Sequence, residues 1–148
     1  MSDDLQSAFE ATHYRVFLDD DSHVLEIGAL CPEPVTEWIS RHAGARCAWL
    51  ITGYNPDAQP IDDARNRARD RLLREWAHTR ANAWLETVNE DPGRHWPNEP
   101  GVLVAGIEEG EVRATARRFG QAAIVVVPVA AAIQLIWPEI RGTDRPQT

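Results

Sequence analysis

Continuously apolar runs alternating with punctuated amphipathic helices predict an α/β fold, a single-domain sandwich in which a mixed, largely parallel sheet is covered by helices. Three runs, 48–52, 102–105 and 124–127, are apolar at successive positions. Such a pattern is expected of strands covered on both faces, as in parallel sheets. Strands and helices alternate along much of the chain, as crossover connections require. No repeat, low-complexity segment or linker divides the 148 residues. One domain is therefore expected over 1–148, with its core over about 14–137 and a loose tail after Pro138.

Taken in order, 5–12 reads as a short helix with Leu5, Ala8, Phe9 and Thr12 on one face. Segments 14–18 and 24–27 read as strands joined through Asp19, Asp20, Asp21 and Ser22, a hairpin with a solvated acidic tip. Segment 32–44 reads as a helix: Pro34 suits its first turn, Glu37 complements the dipole, and Gly44 can take the left-handed stop. Its apolar face is Val35, Trp38, Ile39, His42 and Ala43. His42 at the end of that face is read as a packing or capping group.

Segment 47–57, Cys-Ala-Trp-Leu-Ile-Thr-Gly-Tyr-Asn-Pro-Asp, is the centre of the chain's organisation. Its first half is a buried strand and its second half is turn chemistry, because Asn-Pro initiates turns and excludes helical geometry before the proline. A helix over 60–81 follows, opened by Pro60 with Asp62 and Asp63. A buried strand that stops on polar residues and feeds a helix N-terminus is where α/β proteins place ligands. Ile61, Ala64, Ala68, Leu72 and Trp76 mark the helix's expected apolar stripe, which puts Arg65 near its centre and Arg69 beside it. Two readings stand for these arginines: they pair with an acid or reach the edge of the stripe, or Arg65 leans over the strand end and binds an anion.

Segment 84–88 reads as a further strand. The stretch 89–100, rich in proline and lacking periodicity, reads as a long loop, a common location of function. Its His95 and Glu99 have the i, i+4 spacing of helical metal ligands, but Pro97 lies between them and no third ligand converges. A strand over 102–107, a helix over 108–119 stopped by Gly120, a strand over 122–127 and a last strand over 133–137 complete the order.

Composition removes several function classes. The net charge of −8 is unsuited to general nucleic-acid binding or to anionic membranes. All fifteen basic residues are arginine, so neither a Schiff-base lysine nor a phosphate-loop lysine exists. Cys31 and Cys47 lack metal or redox spacing and are expected to be free thiols. With an acidic, polar start and no long apolar run, the chain is expected to be cytoplasmic. No motif names a cofactor, a metal or an oligomeric state.

Residues 47–56, Asn66, Glu99 and the Phe119-Gly120-Gln121 triplet together resemble the pattern of bacterial domain-of-unknown-function family 3293: aromatic-hydrophobic-Ile-Thr-small-x-Asn-Pro, a helical Asn, a Glu entering a strand, and Phe-Gly-Gln entering another. The resemblance extends over roughly 14–127. It implies a small bacterial protein without an assigned activity. The family pattern has a serine soon after the glutamate, where this chain has Pro100.

Read on their own chemistry, Asn55, Asn66, Glu99 and Gln121 sit at strand ends or helix starts. With Arg65 they form the candidate ligand-binding set: amides to read a hydrogen-bonding edge, an arginine to balance an anion, a carboxylate to act as base. The alternative is that they bond backbone groups and pin loops. Three functions follow: a binding domain for a small anionic or nucleotide-like ligand, a protein-interaction or regulatory module anchored by exposed tryptophans, or an enzyme using Glu99 as general base. For a site that includes both Asn55 and Gln121, a parallel sheet is an obstacle, because it puts them at opposite sheet ends.

Overall fold

The computed structural model describes residues 3–43 and 46–138. The expected stop at Gly44 and the expected tail after Pro138 lie outside the described residues. The elements are α1 (Asp3–Glu10), β1 (His13–Leu18), β2 (Asp21–Leu25), α2 (Glu33–Ala43), β3 (Cys47–Thr52), α3 (Asp63–Arg80), β4 (Ala83–Glu90), β5 (Glu99–Ala105), α4 (Glu109–Arg118), β6 (Ile124–Pro128) and β7 (Gln134–Ile136).

All seven strands join one sheet in the order β2-β1-β4-β5-β3-β6-β7. Every neighbouring pair is antiparallel, and the sheet curls into a half-barrel. The expectation of a largely parallel sheet is therefore wrong, for a topological reason. The helical crossover β3-α3-β4 does join two strands that run the same way, since both are antiparallel to β5, which lies between them. The crossover β5-α4-β6 likewise joins parallel strands, separated by β3. Each βαβ unit receives the other's strand in its gap, and every adjacent pair becomes antiparallel. This is the interleaved β-α-β-β-α-β arrangement of ferredoxin-like, split βαβ motifs, extended here by β1 and β2 at one edge and β7 at the other.

Both faces of the sheet are covered, which is why its central strands read as continuous apolar runs. Trp49, Ile51, Val102, Val104 and Ile124 pack under α3 and α4 with Leu73, Trp76, Ala77, Val112, Ala116 and Phe119. Ala48, Leu50, Leu103, Ala105, Val125 and Val127 pack on the other face with α2, through Val35, Trp38 and Ile39, and with Tyr14 and Val16 of β1. As expected, β5, β3 and β6 are adjacent and buried at the centre. His42 packs its ring 5.3 Å from that of Trp38. Cys31 and Cys47 are free thiols, each half-buried; burial pushes Cys31 up to about 12 and raises Cys47.

The expected stripe of α3 is displaced by about one residue step, which is about 100° around a helix. Its buried residues are Asn66, Leu73, Trp76 and Ala77, whereas Leu72 is 56% exposed. Apolar periodicity failed because the inward face carries Asn66, Arg69 and Asp70 in its first two turns. The start also differs: a 3-10 turn, Pro56–Ala58, precedes the helix, and Asp62 is the N-cap, accepting from Arg65 N at 2.8 Å. Gly120, at φ 68°, stops α4 as expected, with Gln121 N donating back to Ala116 O.

Candidate functional site

Antiparallel pairing brings the starts of β1, β5 and β6 and the ends of β3 and β4 to one end of the sheet. Asn55 follows β3, Glu99 opens β5 and Gln121 precedes β6, so the topology that overturns the parallel sheet removes the obstacle to a shared site. Gln121 Nε2 donates to Tyr54 O at 3.0 Å and lies at 3.3 Å from Phe119 O.

The centre of this end is a hydrogen-bonded chain of three side chains. Asn66, 3% exposed in the first turn of α3, donates from Nδ2 to Asn55 Oδ1 at 2.8 Å. Asn66 Oδ1 accepts from Asn55 N, also at 2.8 Å. Asn55 Oδ1 also accepts from Ile61 N, and Asn55 Nδ2 donates to Glu99 Oε2 at 2.6 Å. Asn55 holds a left-handed backbone, φ 49° and ψ 71°, which asparagine tolerates better than most residues. The turn that Asn-Pro predicts therefore serves to aim an amide at a carboxylate.

Asn55, Glu99 and Gln121 line a pocket of about 230 Å³, below the roughly 300 Å³ at which ligand pockets usually begin. Asn89 and Glu99 are direct partners in the β4–β5 ladder, and Tyr14 and Asn89 are partners in the β1–β4 ladder. Tyr14, Asn89 and Glu99 thus form one cross-strand row on the pocket floor. Leu5, Ala8, Phe9 and Thr12, the face expected of the first helix, make one wall. Trp96 of the 91–98 loop, Tyr54, Pro60 and Ala122 contribute the rest. Tyr14 OH donates to Phe9 O at 3.0 Å and ties the helical wall to the floor.

The lining is mostly apolar. Among the described residues it contains no arginine or histidine, and Glu99 is its one carboxylate. Burial raises Glu99 above the ordinary glutamate value, and the Asn55 hydrogen bond opposes that rise in part. Burial also raises the Tyr14 phenol. Asn89 is 5% exposed, and its Oδ1 is buried without a hydrogen-bond partner.

The five candidate residues divide accordingly. Asn55, Glu99 and Gln121 meet at the pocket. Asn66 lies behind it and positions Asn55. Arg65 is elsewhere: its side chain is 69% exposed and its Nε lies 2.7 Å from Asp62 Oδ2. The arginine that turns inward is Arg69, whose Nε donates to Gly53 O at 2.7 Å and whose second terminal nitrogen donates to Phe119 O. It ties the loop after β3 to the loop before β6, the loop-pinning role, which Gln121 shares.

Sequence reasoning missed Tyr14, Asn89 and Trp96. Asn89 is legible in principle, since Leu85, Thr87 and Asn89 share one face by strict alternation, but the strand expected over 84–88 stops one residue short of it. Its contact with Glu99 depends on ladder register, which no local pattern encodes. His95 belongs to a local turn, donating from its backbone N to Asp91 Oδ2 at 2.6 Å with its ring 3.3 Å from the same atom.

The profile of a family described as Protein of unknown function (DUF3293) matches residues 51–124. The chain belongs to that family. The match runs from the end of β3 to the start of β6 and takes in Asn55, Asn66, Glu99 and Gln121. No curated protein and no solved structure matches the chain.

Proposed function

We propose that this protein binds a small, largely apolar molecule in the pocket at this end of the sheet, with Glu99 as the polar anchor. The observation that carries the reading is the Asn66–Asn55–Glu99 chain. Two amides, one from α3 and one from the turn after β3, hold one partly buried carboxylate at a fixed place on the floor of a largely apolar cavity. A carboxylate needed only for solubility would not be withdrawn from water, since that costs free energy. The anionic ligand expected from Arg65 loses its support, because that guanidinium lies outside the lining and Glu99 would repel an anion. The interaction-module reading is weakened, because three of the six tryptophans are buried and the other three are half-buried.

The test is amide and indole chemical-shift mapping with a panel of small amines, amides, heterocycles and carboxylic acids. Saturable shifts at Asn55, Asn89, Trp96 and Gln121, abolished by a wall-filling Ala8→Trp variant, are expected. A panel that moves none of these resonances overturns the proposal.

A further inference from the structure

The pocket carries one formal charge and nothing of the opposite sign. We infer that its ligand is a small organic cation, a primary or secondary ammonium on an apolar body, with its N–H groups on Glu99. This rests on the pocket being a binding site and names the charge and chemistry it takes.

An ionised carboxylate has about four acceptor positions on its two oxygens. Among the described residues Glu99 accepts a single side-chain bond, from Asn55 Nδ2 to Oε2. Its Oε1 accepts none, and no arginine or histidine shares the lining. A half-buried carboxylate with unfilled acceptors and no counter-charge is most stabilised by a ligand that brings both a positive charge and N–H donors.

Most polar groups around it have already spent their donors. The Thr12, Tyr14 and Thr52 hydroxyls donate to Ala8 O, Phe9 O and Pro100 O, and Gln121 donates to Tyr54 O. A hydroxyl that has given away its proton offers a ligand only lone pairs. The donors that remain, on Asn89, Tyr54 and Trp96, are neutral and do not balance a full charge. Phe9, Tyr54 and Trp96 also supply aromatic surface to the same pocket. The negative face of such rings attracts an organic cation, and their apolar area covers its body.

Other ligand classes fit less well. A carboxylate or phosphate sets acceptors against Glu99 with no cation to offset them. A wholly apolar molecule strips water from the carboxylate and replaces none of its hydrogen bonds. A hard metal ion needs about six oxygens, and the described residues hold no group of three or more His, Cys, Asp or Glu placed to ligate one. One carboxylate balances one positive charge, and about 230 Å³ suits a molecule of a single ring. The ligand is accordingly a monoamine.

Titration of the full chain with benzylammonium, benzyl alcohol and benzoate tests this, read by calorimetry and by the Asn55 and Trp96 resonances. The three probes share a ring and differ in charge. Benzylammonium is expected to bind saturably, about tenfold or more tighter than benzyl alcohol, the difference a charged hydrogen bond makes. Glu99→Gln, shown folded by its melting curve, should remove that preference by weakening benzylammonium about tenfold while changing benzyl alcohol little. Equal binding of ammonium and alcohol overturns the inference, as does tighter binding of benzoate, a preference that survives Glu99→Gln, or no benzylammonium binding. In any of these cases the pocket reading stands if one of the probes shifts Asn55 and Trp96. Silence from all three and from the wider panel removes both.

Discussion

Asn55 Nδ2 stands 2.6 Å from Glu99 Oε2, although 44 positions separate the two residues in the chain. The contact closes one end of the sheet: Asn55 belongs to the turn after β3, Glu99 to the start of β5, and the two strands are antiparallel neighbours. Asn66 holds Asn55 from behind through two bonds. The carboxylate therefore has its orientation set by groups outside the pocket, and its environment by the apolar walls around it.

The titration of Glu99 should show both influences. Burial raises it above its ordinary value of 4.5, so the folded state holds the carboxyl proton more tightly than the unfolded chain does. The stability this contributes is present below the unfolded value and lost as pH rises through the folded one. Glu99→Gln removes the ionisation while keeping the shape. Its melting temperature relative to the parent should therefore be more favourable at pH 7 than at pH 4. Melting curves at the two pH values check this, and an unchanged or reversed difference contradicts the burial of the carboxylate.

Asn55 combines a backbone and a side-chain role, and two substitutions separate them. Both Asn55→Gly and Asn55→Ala delete the side-chain bonds to Asn66 Nδ2, Ile61 N and Glu99 Oε2, and keep the backbone N–H bond to Asn66 Oδ1. Only alanine also has to hold φ 49°, at about 1 kcal/mol or somewhat more. Alanine should be the less stable variant by that margin in urea melts, and both should lie below the parent. Equal midpoints for the two would mean that the turn relaxes when the amide is lost.

The two arginines at the start of α3 should behave differently. Arg69→Ala removes the guanidinium donor from Gly53 O and leaves Phe119 O with only the Gln121 amide at 3.3 Å, and is expected to cost on the order of 3 kcal/mol. Arg65→Ala removes an exposed pair and should leave the denaturation midpoint almost unchanged. Chemical denaturation of the two variants side by side decides which arginine the fold depends on.

Trp49, 6% exposed in β3, packs beneath α3 and α4. Trp49→Ala should cost about 3–5 kcal/mol. Asp20→Ala in the exposed β1–β2 turn should change stability by less than about 0.5 kcal/mol. Comparable urea midpoints would show that β3 is not central to the core.

The sequence by itself determined the elements and their local chemistry. Apolar runs marked β3, β5 and β6 because residues covered on two faces must be apolar whichever way their neighbours point. Asn55-Pro56 and Gly120 marked a turn and a stop, and Asp62 with Asp63 a helix start, through dihedral and hydrogen-bonding preferences that act within a few residues. The resemblance in Asn55, Asn66, Glu99 and Gln121 pointed to the right family. Tertiary structure alone decided strand adjacency. The β3-α3-β4 and β5-α4-β6 crossovers read the same whether their strands touch or admit another between them, because side-chain patterning records burial and not the identity of the neighbouring strand. That choice placed Asn55 and Gln121 at one end of the sheet and set Asn89 opposite Glu99. It also turned Arg69 inward in place of Arg65: a helix face can pack through polar groups when distant carbonyls such as Gly53 O and Phe119 O receive them, and those partners exist only in the folded chain.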